Sequence, residues 1–212
     1  MYLILPLGPW PLTGDFCYGF WYTMQAMKPE RAIILIDGSN FYFKLRDLGL
    51  HTLDFHFSDF VKFLAGKRKL VQSTYFVGEV RTDGTTHVQK LYNNQQRLIA
   101  RLKNHGVRYQ FGYLLKSDGV YHEKGVDVHI AVSVLVAAYE NLADRIILVS
   151  SDTDLIPAIA KAQEKGKIVE YIGFSHKISL AMARGCKETR TLTRDDLLPF
   201  VRTQKQAIKN AA

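Results

Sequence analysis

Two unbroken aliphatic runs, each stopping at an aspartate, constrain this chain more than any other feature. "RAIILIDGSN" (residues 31–40) and "RIILVSSDTD" (residues 145–154) carry large apolar side chains at consecutive positions and then turn abruptly polar. Successive strand residues face opposite ways, so an uninterrupted apolar run predicts a strand covered on both faces, as in a parallel sheet between helices. Helical patterns follow both runs. After the second, Leu155, Ile156, Ile159 and Ala160 recur at apolar spacing and Gly166 marks a stop. Asp37, Asp152 and Asp154 are thereby expected at strand-to-helix turns. A single Asp there is equally well explained as a helix cap worth roughly 1 kcal/mol.

The remaining periodicities alternate. Strands are expected at 32–36, 71–78, 107–114, 145–150 and 167–173, and helices at about 40–48, 58–66, 86–104, 126–141 and 154–165, with a loop or short hairpin in "KSDGVYHEKG". This order predicts an α/β fold, a three-layer α/β/α sandwich with a mostly parallel central sheet. In such sheets, functional groups gather beyond the carboxyl ends of the strands, near the point where strand order reverses. One domain is expected over residues 30–202, with 203–212 a frayed tail. Residues 1–29 read as an appendage, apolar but broken by Pro6, Pro9, Pro11 and Asp15. This segment lacks a basic leader region, which argues against a signal peptide or a spanning helix. Met24 and Met27 stand just before the first strand, so a start downstream of residue 1 stays open.

The net charge of +8 and pI near 9.4 favour an anionic partner, nucleic acid before a membrane surface. Cys17 and Cys186 form no ligand or framework pattern, which argues against a disulfide scaffold or zinc site and for a reducing, cytoplasmic setting.

A third acidic position opens the helix of "KGVDVHIAVSVLVAAY". Ile130, Ala131, Val134 and Leu135 form an apolar stripe there, and the nearly all-apolar sequence predicts a deeply packed helix whose first turn presents Asp127. Capping or a dipole interaction is the plainer role for Asp127 alone. Four carboxylates at one edge would repel and raise one another's pKa unless a cation sat among them. All-oxygen donors of this kind suit Mg²⁺ or Mn²⁺. Asn40 adds a neutral amide one turn beyond Asp37, able either to orient water or a phosphate oxygen or to cap the helix. Ser39, Ser150, Ser151 and Thr153 are ambiguous in the same way.

"IDGSN", "KGVDVHIAVSVL" and "SSDTDLIPAI", in that order, resemble the NYN domain family in its LabA-like branch, part of the PIN-like nuclease superfamily. The resemblance covers roughly residues 31–175. It implies a PIN-like fold and metal-dependent cleavage of RNA phosphodiesters, with Mg²⁺ or Mn²⁺ held by Asp37, Asp127, Asp152 and Asp154. By position Asp37 matches the first acid, Asn40 the amide, Asp127 the acid of the "KGVD" motif, and Asp152 and Asp154 the final pair. Ser151 and Leu155 depart from the family's usual glycine and aromatic residue. Ser133 stands where a second acid is common, six residues or about 240° around a helix from Asp127.

The mechanism expected is hydrolysis by metal-activated water. Lys124, close to Asp127 in sequence, is the favoured phosphate contact, with Ser39, Ser151 and Thr153 as further substrate contacts. Lys44, Arg46, Arg81, Lys90, Arg97, Arg101, Lys177 and Arg184 are weaker candidates. Tyr42, Tyr92 and Tyr121 could stack on bases or pack. His87, His105, His122 and His129 show no metal spacing, and His129 reads as packed. A homodimer is left open. Two other readings also stay open: a catalytically weak RNA-binding or regulatory module, suggested by Ser133, and a metal-dependent phosphatase or nucleotide hydrolase.

Overall fold

The computed structural model describes residues 28–81, 84–117 and 120–201, with the side chains of 113–123 left out. The expected appendage up to Met27, the tail 203–212 and the side chains of Tyr121 and His122 therefore lie outside the described residues.

The aliphatic runs form the centre of the sheet. β1 (Arg31–Asp37), β2 (Lys69–Val77), β3 (Arg108–Phe111), β6 (Arg145–Val149), β7 (Ile168–Phe174) and β8 (Glu188–Leu192) lie in the order β3-β2-β1-β6-β7-β8. Every adjacent pair is parallel. From β1 the chain steps outward through β2 to β3, then returns to the other side of β1 and steps outward again. Strand order thus reverses between β1 and β6.

Alternation along these two strands builds two cores. Ala32, Ile34, Ile36, Ile147 and Val149 face one layer, packing with Phe41 and Leu45 of α1 (Gly38–Asp47), Phe57, Phe60 and Leu64 of α2 (Phe57–Ala65), and Leu98 and Leu102 of α3 (Thr86–Asn104). Ile33, Leu35, Ile146 and Leu148 face the other, packing with Ile130 and Val134 of α4 (Val126–Tyr139), Ile159 and Ala162 of α5 (Ile156–Glu164), and Met182 of α6 (Leu180–Gly185). The three-layer sandwich follows from this two-sided burial.

Several details differ from expectation, the helix Leu180–Gly185 among them. The run 107–114 is broken at Gly112, because β3 belongs to the main sheet while β4 (Tyr113–Ser117) pairs antiparallel with β5 (Val120–Lys124) in a separate hairpin. β8 and the short α7 (Arg194–Leu197) carry too few apolar residues to stand out in the sequence. Ala160 faces solvent, and Ala158 and Ala162 make the α5 contact instead. The α4 helix is not packed all round, for Val128, Val132 and Tyr139 are 61%, 50% and 55% exposed.

At the amino ends of the strands, buried Arg145 binds Glu30, Glu170 and Glu188 at 3.0, 3.1 and 2.6 Å. Beside it, hydrogen bonds from Arg31 pull the Asp144 carboxyl down to about 2. Acids at this end are matched by arginine. At the carboxyl end, no salt bridge among the described residues reaches Asp37, Asp127, Asp152 or Asp154.

Candidate active site

β1 and β6 pair with Ile36 opposite Val149, so the next residues, Asp37 at the last position of β1 and Ser150 just past β6, stand side by side at the carboxyl edge. Asp37 is 4% exposed and Ser150 1%. The Ser150 hydroxyl donates to Asp37 Oδ2 at 2.8 Å and accepts the Asp152 N–H at 3.1 Å. Asp152 Oδ1 in turn accepts the Asp154 N–H at 2.9 Å, capping a single 3-10 turn, Thr153–Leu155. One buried serine thereby ties the acid of the first motif to the acidic pair of the last.

The other oxygen, Asp37 Oδ1, accepts the Asn40 N–H at 3.0 Å and caps α1. The cap is therefore Asp37, not Asn40. The Asn40 side-chain amide has no protein hydrogen-bond partner among the described residues. Gly38 is required by proximity, because a Cβ there would lie 2.4 Å from both the Phe76 carbonyl oxygen and the Tyr75 ring. On the facing layer, Gly125 takes a left-handed conformation (φ 83°) that turns the hairpin into α4 and brings Asp127 into the first turn.

The electrostatics place the four acids in one field. Burial pushes the Asp37 carboxyl above its ordinary value, against the hydrogen bonds from Asn40 and Ser150, and the charge of Asp152 adds to the rise. Asp127 is also raised, first by partial burial and then by Asp152, Asp37 and Asp154. No salt bridge to any of the four occurs among the described residues. Nor do three His, Cys, Asp or Glu side chains converge there closely enough to form a ready-made cage. The donor set still fits a hard divalent cation, being all oxygen and mutually repulsive.

The other predicted residues divide. Ser39 and Thr153 are exposed at the starts of their helical turns, whereas the Ser151 hydroxyl is tied to the Tyr171 hydroxyl at 2.9 Å. Lys124 is exposed at the end of β5, just before Gly125, and forms no ion pair with the acids among the described residues. Lys44 and Lys177 are engaged elsewhere, Lys44 donating to the Lys177 carbonyl at 2.6 Å and Lys177 pairing with Asp47 at 2.7 Å. His129 is half-buried against Gln110 at 2.6 Å. Sequence reasoning passed over Ser150 as one of several ambiguous hydroxyls. The register of two adjacent parallel strands is the signal that singles it out.

The family model described as NYN domain matches residues 31–193. A crystal structure of a protein of unknown function from Vibrio parahaemolyticus is similar, with a TM-score of 0.59 and 20% identity over 82% of this chain and 99% of that one. At that identity the likeness is one of fold. No curated protein matches the chain. No helix among the described residues is long and apolar enough to cross a membrane.

Proposed function

Since the chain belongs to the NYN domain family, we propose that it is a metal-dependent ribonuclease of the LabA-like branch within the PIN-like superfamily. The observation that carries this reading is the coupling of Asp37 to Asp152 through buried Ser150, at the point where strand order reverses. A fold gains no stability from unmatched acids at its sheet edge, and Asp37 and Asp127 are held above their ordinary pKa. A binding site for positive charge accounts for them.

In this reading Asp37, Asp152 and Asp154 would hold Mg²⁺ or Mn²⁺, and Asp127 would hold the ion or its water. Such an ion lowers the pKa of water and neutralises charge on the attacked phosphate. Asn40 directs its amide at a phosphate oxygen or at the attacking water. Ser39 and Thr153 offer hydroxyls to the scissile phosphate, and Lys124 approaches the strand from the hairpin. A water gives up a proton to solvent as its oxygen bonds to phosphorus, the bond from phosphorus to the leaving oxygen breaks, and that oxygen takes up a proton from solvent. No side-chain nucleophile is required, and the protein's part is to fix positions and field.

The test is cleavage of a labelled single-stranded RNA, a structured RNA and matched DNA with Mg²⁺, Mn²⁺ or EDTA, beside folded Asp37→Asn and Asp152→Asn variants. Metal-dependent RNA cleavage lost in both variants is expected. Binding without cleavage in any metal favours a regulatory module and makes Ser133→Asp the next variant. Release of phosphate from nucleotides with RNA left intact favours a phosphatase.

A further inference from the structure

A cavity of about 730 Å³ opens next to the acidic edge, between α1, the turn Thr52–Asp54, the exit of β2 and α3. It begins at Gly38 and Ser39, the two residues that follow Asp37. Its volume lies within the roughly 300–1,000 Å³ of small-ligand pockets. We propose that this cavity is a subsite for one unpaired nucleotide of the RNA, which takes the base out of the strand while the adjoining phosphate lies at the acids.

Tyr42 and Phe43 line the cavity and are 43% and 49% exposed, although both are large rings on a short helix with a full apolar face of its own. The Arg46 guanidinium lies over these rings, 4.7 Å from the Phe43 ring centre and 6.0 Å from that of Tyr42, and adds positive charge beside the cavity. Ring faces of this kind take any base, because every base has a π-face. Asn94 supplies an amide for a base edge, while the Glu79 carboxylate in the wall is paired with Arg81 at 3.3 Å. Gln95 serves the wall itself, accepting the Val80 N–H at 2.8 Å and donating to the Gly78 carbonyl at 2.6 Å.

The cavity also has an exit for the strand. A second groove, lined by Lys90, Asn93, Asn94 and Arg97, shares Asn94 and Arg97 with the first and crosses the polar face of α3. A chain can therefore run from the acids, past the ring-lined cavity, onto two cationic side chains suited to phosphates. A base held in a duplex cannot enter without leaving its stack, so the subsite selects single-stranded RNA.

The inference rests on the nuclease reading for the orientation of the strand, and the experiment separates the two. The full chain is titrated in EDTA with adenosine 5′-monophosphate, with a single-stranded RNA oligomer, with the same oligomer carrying one abasic residue, and with a paired hairpin. Cleavage of the oligomer is then followed in Mn²⁺. Tyr42→Ala removes a ring, Leu91→Trp blocks the mouth, and Val132→Ala on the far layer is the control; all three sites are at the surface. Tyr42→Ala and Leu91→Trp are each expected to weaken oligomer binding by about tenfold, and the abasic oligomer to bind more weakly to the parent. KM for cleavage rises while kcat holds. Binding within about twofold of the parent in both variants, with cleavage intact, overturns the subsite alone. Binding of the monophosphate that both variants lose, with no cleavage in any metal, supports the subsite and overturns the nuclease reading. An oligomer that the parent neither binds in EDTA nor cleaves in any metal overturns both, and cleavage in Mn²⁺ with no binding of oligomer or monophosphate in EDTA overturns the subsite alone.

Discussion

Replacing Ser150 with alanine isolates the link between the two acidic motifs, because it removes a hydroxyl with almost no change in volume. Asp37 and Ser150 are 4% and 1% exposed, so the lost bond is one shielded from bulk solvent. The bond from Ser150 to Asp37 Oδ2 is 2.8 Å long and made to a carboxylate, a class worth about 1.5–3 kcal/mol. Its second bond, from the half-exposed Asp152 N–H, is replaceable by solvent and adds at most about 0.5 kcal/mol. The expected loss at neutral pH is therefore about 2 kcal/mol. For a domain of this size that is roughly 4–8 °C in Tm. The loss should shrink in acid, where Asp37 is protonated and the missing bond is only a neutral one. The same hydrogen bond lowers the Asp37 pKa, so its removal pushes that carboxyl further up. The acid limb of the pH–rate profile for RNA cleavage should move to higher pH. Urea denaturation across the pH range and the pH–rate profile read both effects, with Ser151→Ala as a neighbour that leaves Asp37 untouched. A loss of stability that is the same at every pH, with an unshifted acid limb, would refute the reasoning.

Further perturbations test other parts of the structure. Asp37 and Asp127 have raised folded-state values, so in EDTA the folded chain binds their protons more tightly than the unfolded chain does. Their contribution to stability is full below the ordinary carboxylate range and is lost as pH rises through the raised values. Asp37→Asn should flatten this decline in urea melts while abolishing cleavage. Gly38→Ala forces a Cβ to 2.4 Å from the Phe76 carbonyl oxygen, and should cost about 1–3 kcal/mol in chemical denaturation. Arg145→Met strands Glu170, which is 4% exposed, with Arg190 as its remaining partner at 2.9 Å. Because Arg190 still compensates that charge, a loss of about 1.5–3 kcal/mol in the same assay is expected, with RNA cleavage by the folded fraction unchanged, since the network lies at the opposite end of the sheet.

Local apolar patterning dictates the layers and the edge. Five apolar residues in a row, Ile33–Ile36 preceded by Ala32, can be buried only if both faces of the strand are covered, and the polar residues that follow must then leave the sheet at its carboxyl end. This is why Asp37, Asp152 and Asp154 were legible as residues of one edge. The helix of Asp127 was legible too, but its packing was not. A helix apolar on every side has no periodicity to show which face the core will take, and the exposed face of Val128, Val132 and Tyr139 is visible only after folding. β8 escaped for the opposite reason, since "ETRTL" lies at the sheet edge, where polar side chains face water and leave no apolar run. What the tertiary structure alone decided is which residues meet across the chain. Ser150 lies 113 positions from Asp37 and reaches it because β6 happens to pair with β1 rather than with another strand. The Arg145 network and the ring-lined cavity have the same origin. Local patterns fix what each segment becomes, whereas strand order brings distant polar atoms within hydrogen-bond reach.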